Sequence, residues 1–250
     1  MTTFTASQLA AKQQTNSTGV TLSNDITEGD IYLSVAAERS GLETPASWVA
    51  TYSGNGTPTT DATGTNGVGS TDRCTVGLMS LLAPSVTGGR IWDVANDDSN
   101  SRSWLGMQLT PVGGSYDWTF RAASITGSGS GEVNGVSSGS TSPSVTGGGG
   151  DLCVVDFAIV RREISASIGT PSFSTTPDIF RWMDGDIGTV GAHGVYIAIG
   201  IRYEQSDGTF SNTFNCSNGS VHEGIVGCAV FSNGALSGGP TFAKHLMMGF

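Results

Sequence analysis

Charged residues are scarce in this 250-residue chain. Asp, Glu, Lys and Arg together make up 13% of it, about half of the usual ~25%. Lysine occurs only as Lys12 and Lys244, and the formal net charge is -10. Phosphate contacts need clustered Lys and Arg, so the composition argues against a nucleic-acid partner. No segment approaches the ~20 apolar residues of a membrane span, which argues against membrane insertion.

Histidine and cysteine are also few, with three and four residues respectively. None lies in a CxxC, HxH or HExxH pattern, so neither a zinc site nor a cofactor is predicted. Cys74 and Cys153 lie in apolar, strand-like runs and are interpreted as buried small hydrophobic residues. Cys216 and Cys228 flank a short loop, and whether they form a disulfide depends on the redox compartment.

Glycine, by contrast, is abundant, with 37 residues. Many short segments alternate apolar and polar residues, which predicts an all-β fold. We expect an antiparallel β-sandwich of jelly-roll-like type with a short N-terminal arm. The residues 88–97 and 102–112 are predicted to form a hairpin. The residues predicted to point into the core are Ile31, Leu33, Val35, Ala37, Cys74, Val76, Leu78, Leu105, Met107, Leu109, Trp118, Phe120, Ala122, Val195, Ile197, Ile199 and Ile201.

Three regions are predicted along the chain. Residues 1–19 form a polar arm, in which Thr5 and Gln8 fit a capping box and favour a short helix, a frayed terminus being the alternative. Residues 20–240 form a single β-sandwich domain, in which the Gly/Ser-rich tract 126–150 is interpreted as a long loop rather than a linker. Residues 241–250 form an apolar C-terminal tail.

Two sequence echoes raise the question of an internal repeat. "EGDIYLSVAA" at 28–37 resembles "GGDLCVVDFA" at 149–158, and "PSVTGG" occurs at 84–89 and again at 143–148. In the first pair a Gly-Asp step precedes an apolar strand, where Gly supplies the turn conformation and Asp caps it. The echoes indicate either reuse of the same turn chemistry or a pseudo-repeated sheet.

No catalytic constellation is evident, and we expect no enzymatic activity. "GVSSG" at 135–139 matches a nucleophile elbow only formally, because no helix follows it. Asp184 and Asp186 in "WMDGDIG" occupy one turn, whereas paired catalytic carboxylates usually come from separate elements. Asp156 interrupts an apolar strand, so a partner, such as an arginine, is expected for it.

The candidate binding residues are aromatic, acidic or apolar. Trp92 and Trp182 lie beside acidic segments and, with Asp184 and Asp186, are the candidates for surface binding. The acidic turns are interpreted either as solvated or as contributors to a calcium site. An apolar chain end must be covered, either by closing the core of its own sheet or by docking on a partner, and the candidate assembly contacts lie in the arm and the tail. They are Leu9, Phe242, Leu246, Met247 and Phe250.

The succession of an apolar "VTL" strand, Gly29-Asp30, an "IYLSVAA" strand and the Trp48 segment resembles the start of β-rich accessory virion proteins of tailed bacteriophages. "SPSVTGGGGDLCVVDFAI" resembles a second half of the same module. The resemblance implies a structural protein on the virion exterior, as a capsid decoration or tail fibre or spike component. Its implied partners are other virion proteins, further copies of the chain with a trimer favoured, and a host-surface glycan. It implies no catalytic residues. The alternative is a stand-alone carbohydrate-binding module.

Overall fold

The computed structural model describes most of the β-structure of the chain. The described residues are 4–14, 19–23, 25–40, 48–67, 73–82, 91–95, 102–112, 116–128, 144–145, 152–163, 170–186, 193–215 and 221–235. Within these ranges the chain forms strands and turns without a helix, and every strand pair is antiparallel. The predicted all-β antiparallel sandwich is therefore confirmed.

Two five-stranded sheets make up the sandwich. The first has the order β1 (Phe4–Gln14), β8 (Arg102–Pro111), β3 (Ile31–Ser40), β6 (Arg73–Leu82), β5 (Thr59–Gly67). The second has the order β13 (Ile179–Asp186), β14 (His193–Gln205), β11 (Leu152–Glu163), β17 (Val221–Ala235), β9 (Tyr116–Ser128). The edge strand β1 lies against β13, and the edge strand β5 lies against β9.

Short strands cover the outer face of each sheet. A three-stranded sheet of β2 (Val20–Thr21), β7 (Ile91–Ala95) and β4 (Val49–Tyr52) covers the first. The pairs β10 (Ser144–Val145) with β15 (Gly208–Thr209), and β12 (Ser172–Phe173) with β16 (Phe214–Asn215), cover the second. Both sheets are thus buried on two faces, which explains why β11 is apolar on both sides.

The two halves of the chain have the same topology. In each half the five long strands, counted along the chain, lie in the order first, fifth, second, fourth, third. The short covering strands also occupy the same places in the sequence of each half: they follow the first, the second and the fourth long strand. The strands that carry the "GD" echo, β3 and β11, are the central strands of their sheets. Of the two interpretations of the echoes, the topology favours the pseudo-repeated sheet.

The core between the sheets contains the side chains that the alternation predicted, with one exception. Phe120 and Ala122 are not on the same face, because the pairing of β9 with β17 shifts register between Val230 and Phe231. Arg121 is the extra residue there, and the bulge turns Ala122 towards the outer face. The other predicted inward residues all belong to the shared core.

The turn before β3 joins the two halves of the molecule. Gly29 has φ 85°, a conformation that favours glycine. The buried Asp30 carboxylate accepts hydrogen bonds from the Thr27 amide (2.9 Å) and hydroxyl (2.7 Å) and from the Gln108 side-chain amide. The Trp118 indole, from the second sheet, donates to the Gly29 carbonyl (2.7 Å). Gly29 thus supplies the conformation of this turn and Asp30 caps it, as the sequence predicted.

Several aromatic side chains pack directly onto glycines of neighbouring strands. A Cβ on Gly77 would lie 2.5 Å from Cγ of Trp48, and a Cβ on Gly227 would overlap the Phe157 ring. Trp48 belongs to the covering layer of the first sheet, and Phe157 belongs to the shared core. These glycines are required because a ring occupies the space of their missing side chain.

Two local predictions are wrong. The capping box at Thr5–Gln8 does not start a helix, because Phe4–Gln14 form β1, paired with β8 along an edge that fixes the segment. The expected hairpin of 88–97 with 102–112 does not form either. β7 pairs with β2 and β4 in the covering sheet, whereas β8 pairs with β1 and β3.

We expect Gly77→Ala and Gly227→Ala to lower the free energy of unfolding by about 1–3 kcal/mol or more, since each added methyl overpacks a ring. Gly208→Ala is the matched control, because no atom lies within 4 Å of its added Cβ, and we expect a change within about 0.5 kcal/mol. Urea unfolding measures all three variants. Equal effects at Gly77, Gly227 and Gly208 would show that the ring contacts are not the cause.

Candidate functional site

A buried ion pair lies on the outer face of the second sheet. The Asp156 side chain is fully buried, and Arg202 Nε and Nη2 donate to its two oxygens at 2.7 and 2.9 Å. The Phe210 ring covers the guanidinium, with 5.9 Å between the ring centroid and Cζ. The partner predicted for Asp156 is therefore confirmed. A two-point contact of this kind matches the planar fork of arginine to a carboxylate.

Asn212 connects this ion pair to the covering strands. Its side-chain nitrogen donates to Asp156 Oδ2 (2.9 Å) and to the Thr175 carbonyl (3.2 Å). Its side-chain oxygen accepts from the Ser174 hydroxyl (2.9 Å) and the Thr175 and Thr213 amides (2.9 and 3.0 Å). The side-chain amide of Asn212 thus forms hydrogen bonds both with the buried carboxylate and with the turns that lead into β13 and β16. Asn212 was not singled out in the sequence, since it lies in a polar loop segment without periodicity.

The ionisation of this cluster is set by burial. Burial raises the pKa of Asp156, while Arg202 and Asn212 oppose that effect by stabilising the carboxylate. Burial, with a contribution from the negative charge of Asp156, also raises the pKa of the Cys228 thiol. Burial raises the pKa of Cys153 to about 12. Both thiols are therefore protonated at neutral pH and are poor nucleophiles.

The surface candidate with the clearest geometry is Trp182 on the edge strand β13. Trp182 is 48% exposed, and its ring stacks on Tyr196 of β14, with 5.1 Å between the centroids and an interplanar angle of 18°. Tyr196 is only 3% exposed and belongs to the apolar cluster under β12 and β16. The arrangement presents an indole at the surface on a buried aromatic support.

The other three surface candidates differ from Trp182. Trp92 is fully buried among Tyr32, Tyr52 and the rest of the covering layer, so its interpretation as a surface residue is wrong. The acidic segment that follows it in the sequence misled the interpretation, because Trp92 points inward from β7. For Asp184 and Asp186 only the backbone is described. They pair with Tyr196 and Gly194, so both follow Trp182 along the same edge.

The candidate assembly residues lie mostly outside the described part of the chain. Phe242, Leu246, Met247 and Phe250 belong to residues 236–250, which are not described. Leu9 lies in β1, where the register with β8 shifts between Ser7 and Ala10.

The cysteines agree in part with the sequence interpretation. Cys74 and Cys153 are buried, as predicted, and Cys228 is a buried free thiol that forms no disulfide. Cys216 lies outside the described residues.

Asp61, like Asp156, is a carboxylate whose pKa differs from its usual value. It occupies a register shift in the edge strand β5, where Thr60 pairs with Met79 and Ala62 with Leu78. The Thr59 hydroxyl donates to its Oδ1 (3.0 Å), whereas Oδ2 is buried without a partner among the described residues. Burial raises the pKa of Asp61 to about 6, and the Ser80 and Thr59 hydroxyls counteract part of this change.

No group of three or more His, Cys, Asp or Glu side chains that could hold a metal ion occurs among the described residues. The same part of the chain contains no helix long and apolar enough to cross a membrane. No protein-family model, curated protein or solved structure matches the chain.

We expect Arg202→Met to lower the free energy of unfolding by about 3–5 kcal/mol, because it leaves the Asp156 charge buried without its partner. The double variant Asp156→Leu/Arg202→Met should lose less than the sum of its single variants, since neither charge remains. Arg181→Met is the control, because Arg181 is exposed. Guanidinium unfolding measures each variant, and a similar loss for Arg181→Met and Arg202→Met would contradict the assignment.

We expect Asp61 to make the protein less stable as the pH rises from about 4 to about 6. Its pKa is raised from 3.8 to about 6 on folding, so the folded state holds the proton more tightly than the unfolded state. This contribution is complete below the unfolded pKa and is lost as the pH passes the folded one. Asp61→Asn should therefore match the wild type below pH ~4 and be the more stable protein above pH ~6. Urea unfolding at a series of pH values measures it, and parallel curves for the two proteins would refute it.

Proposed function

We propose that this chain is a structural component on the exterior of a tailed-bacteriophage virion, as a capsid decoration or tail fibre or spike protein. It acts through contacts with other virion proteins and with further copies of itself, in a trimer. The resemblance of the segments around Gly29-Asp30 and 142–159 supports the virion class. The low charge and the two-sided burial of both sheets support a stable scaffold for such contacts.

The observation that carries the assembly proposal is the edge strand β1. Exposed edges pair readily with other chains, and proteins commonly block them with charges, bulges or proline. Charges occur along the other edges: Asp61 in β5, Asp117 and Arg121 in β9, and Arg181, Asp184 and Asp186 in β13. β1 is 11 residues long and contains one charge, Lys12, so that, like β5, it has fewer charges than β9 and β13. Its bulge lies between Ser7 and Ala10 and contains Gln8 and the apolar Leu9.

The position of β1 also favours contact with a neighbour. β1 borders one side of the sandwich together with β13, whereas β5 and β9 pack on each other at the opposite side, where Gly64 lies against Ile125. A neighbouring strand that pairs with β1 would extend the first sheet beyond its own five strands, the mode known as β-augmentation. The apolar residues Phe242, Leu246, Met247 and Phe250 are the candidates for supplying the matching contact.

We expect the full-length protein to have the solution mass of a trimer, measured by light scattering coupled to size exclusion. Leu9→Asp and a chain that lacks residues 241–250 should both shift the mass towards the monomer, because each removes one side of the proposed contact. Thr119→Asp is the matched control on the edge strand β9, where Thr119 is exposed. A folded monomer at all concentrations for the full-length protein would reject the assembly proposal.

A further inference from the structure

We infer that the exposed indole of Trp182 is a stacking site for one pyranose ring of a neutral glycan. Aromatic rings offer a flat apolar face with a polar edge, and one face of a pyranose presents a matching layer of C–H bonds. The inference goes beyond the virion proposal and does not depend on it, because a single copy of the chain supplies the site.

The indole of Trp182 is preorganised, because neighbouring residues hold it in place. Tyr196 supports it at 5.1 Å and an angle of 18°, and Tyr196 is itself buried. β13 pairs with β14 without a register shift from Ile179 to Asp186. Next to Trp182 in the strand, Phe180 packs edge-to-face on Phe173 of the cover, with 5.8 Å between the centroids. A side chain held in this way loses little conformational entropy when a ligand stacks on it.

The second half of the chain has this aromatic pair, and the first half does not. The strands of the first half that correspond in topology to β13 and β14 are β5 and β6, and neither of them contains an aromatic residue. The fold is thus built without this pair in one half, so it does not require Trp182 and Tyr196 in the other.

Charge identifies the class of sugar. The chain has a net charge of -10, and Asp184 and Asp186 follow Trp182 in β13. The nearest cation in the strand is Arg181, whose guanidinium donates to the Phe180 carbonyl at 2.7 Å. Sialylated, sulfated or phosphorylated glycans would be repelled by this edge, as would single-stranded nucleic acid. A neutral ring with hydroxyl groups fits both the indole face and the neighbouring acidic residues.

The spectroscopic readout is selective, because the other four tryptophans, Trp48, Trp92, Trp104 and Trp118, are all buried. We expect at least one member of a panel of neutral oligosaccharides of glucose, galactose, mannose and N-acetylglucosamine, at millimolar concentration, to shift the NMR signal of the Trp182 indole N–H and leave the other four unchanged. Trp182→Ala should weaken binding of that sugar at least about tenfold, or ~1.4 kcal/mol. Trp182→Phe should retain part of the affinity.

Val49→Ala is the matched control, since Val49 is an exposed apolar residue on another sheet, and it should leave the affinity unchanged. Urea midpoints establish that each variant is folded. The inference is overturned if no neutral sugar shifts the Trp182 signal, if Trp182→Ala binds as well as the wild type, or if a sialylated glycan binds more tightly. It is also overturned if the signal shifts with protein concentration alone and Trp182→Ala lowers the oligomer mass, because Trp182 would then be a contact between copies.

Discussion

Each five-stranded sheet has to bury apolar side chains on both of its faces, and the rest of the structure is arranged around that requirement. One face of each sheet packs on the other sheet. The opposite face is covered by short strands, which the same half of the chain contains between its long strands in the sequence. At Gly77 and Gly227 a ring occupies the space that a side chain on the neighbouring strand would need. Polar groups under the cover need partners, because burial without them is costly.

The two halves solve the same problem with different side chains. Asp156 in β11 and Ser34 in β3 are both buried polar residues on the outer face of the central strand of their sheet. In the first half an aromatic layer that includes Tyr32, Trp48 and Trp92 fills the space under the cover. In the second half two apolar clusters fill this space, together with an ion pair and one asparagine. The ion pair adds geometric specificity, because the side chains of Asp156, Arg202 and Asn212 must meet at one point.

The long strands of the two sheets were largely predictable from local alternation of apolar and polar residues. The pairing of the short strands that cover the outer faces was not. Period-two patterns identified the inward faces of β3, β6, β8 and β14, because the side chains of these strands alternate strictly between the two faces of their sheets. Alternation cannot reveal a bulge, which is why Ala122 was assigned to the wrong face, nor can it show which sheet a short strand joins, which is why β7 was paired with β8. Trp182 could be proposed from its acidic neighbours. Its support by Tyr196 required the register of β13 with β14.

The division of the chain into two units has a consequence for biosynthesis. The first sheet needs β8 to sit between β1 and β3, so it closes once residue 111 has left the ribosome, and β9 begins only at Tyr116. The first unit can then form while its inner apolar face still lacks the second sheet. Until residue 235 emerges, that face can be covered by the second unit of another nascent chain, the exchange known as domain swapping. The bond from Trp118 to Gly29 is among the contacts that would then join two polypeptides instead of one.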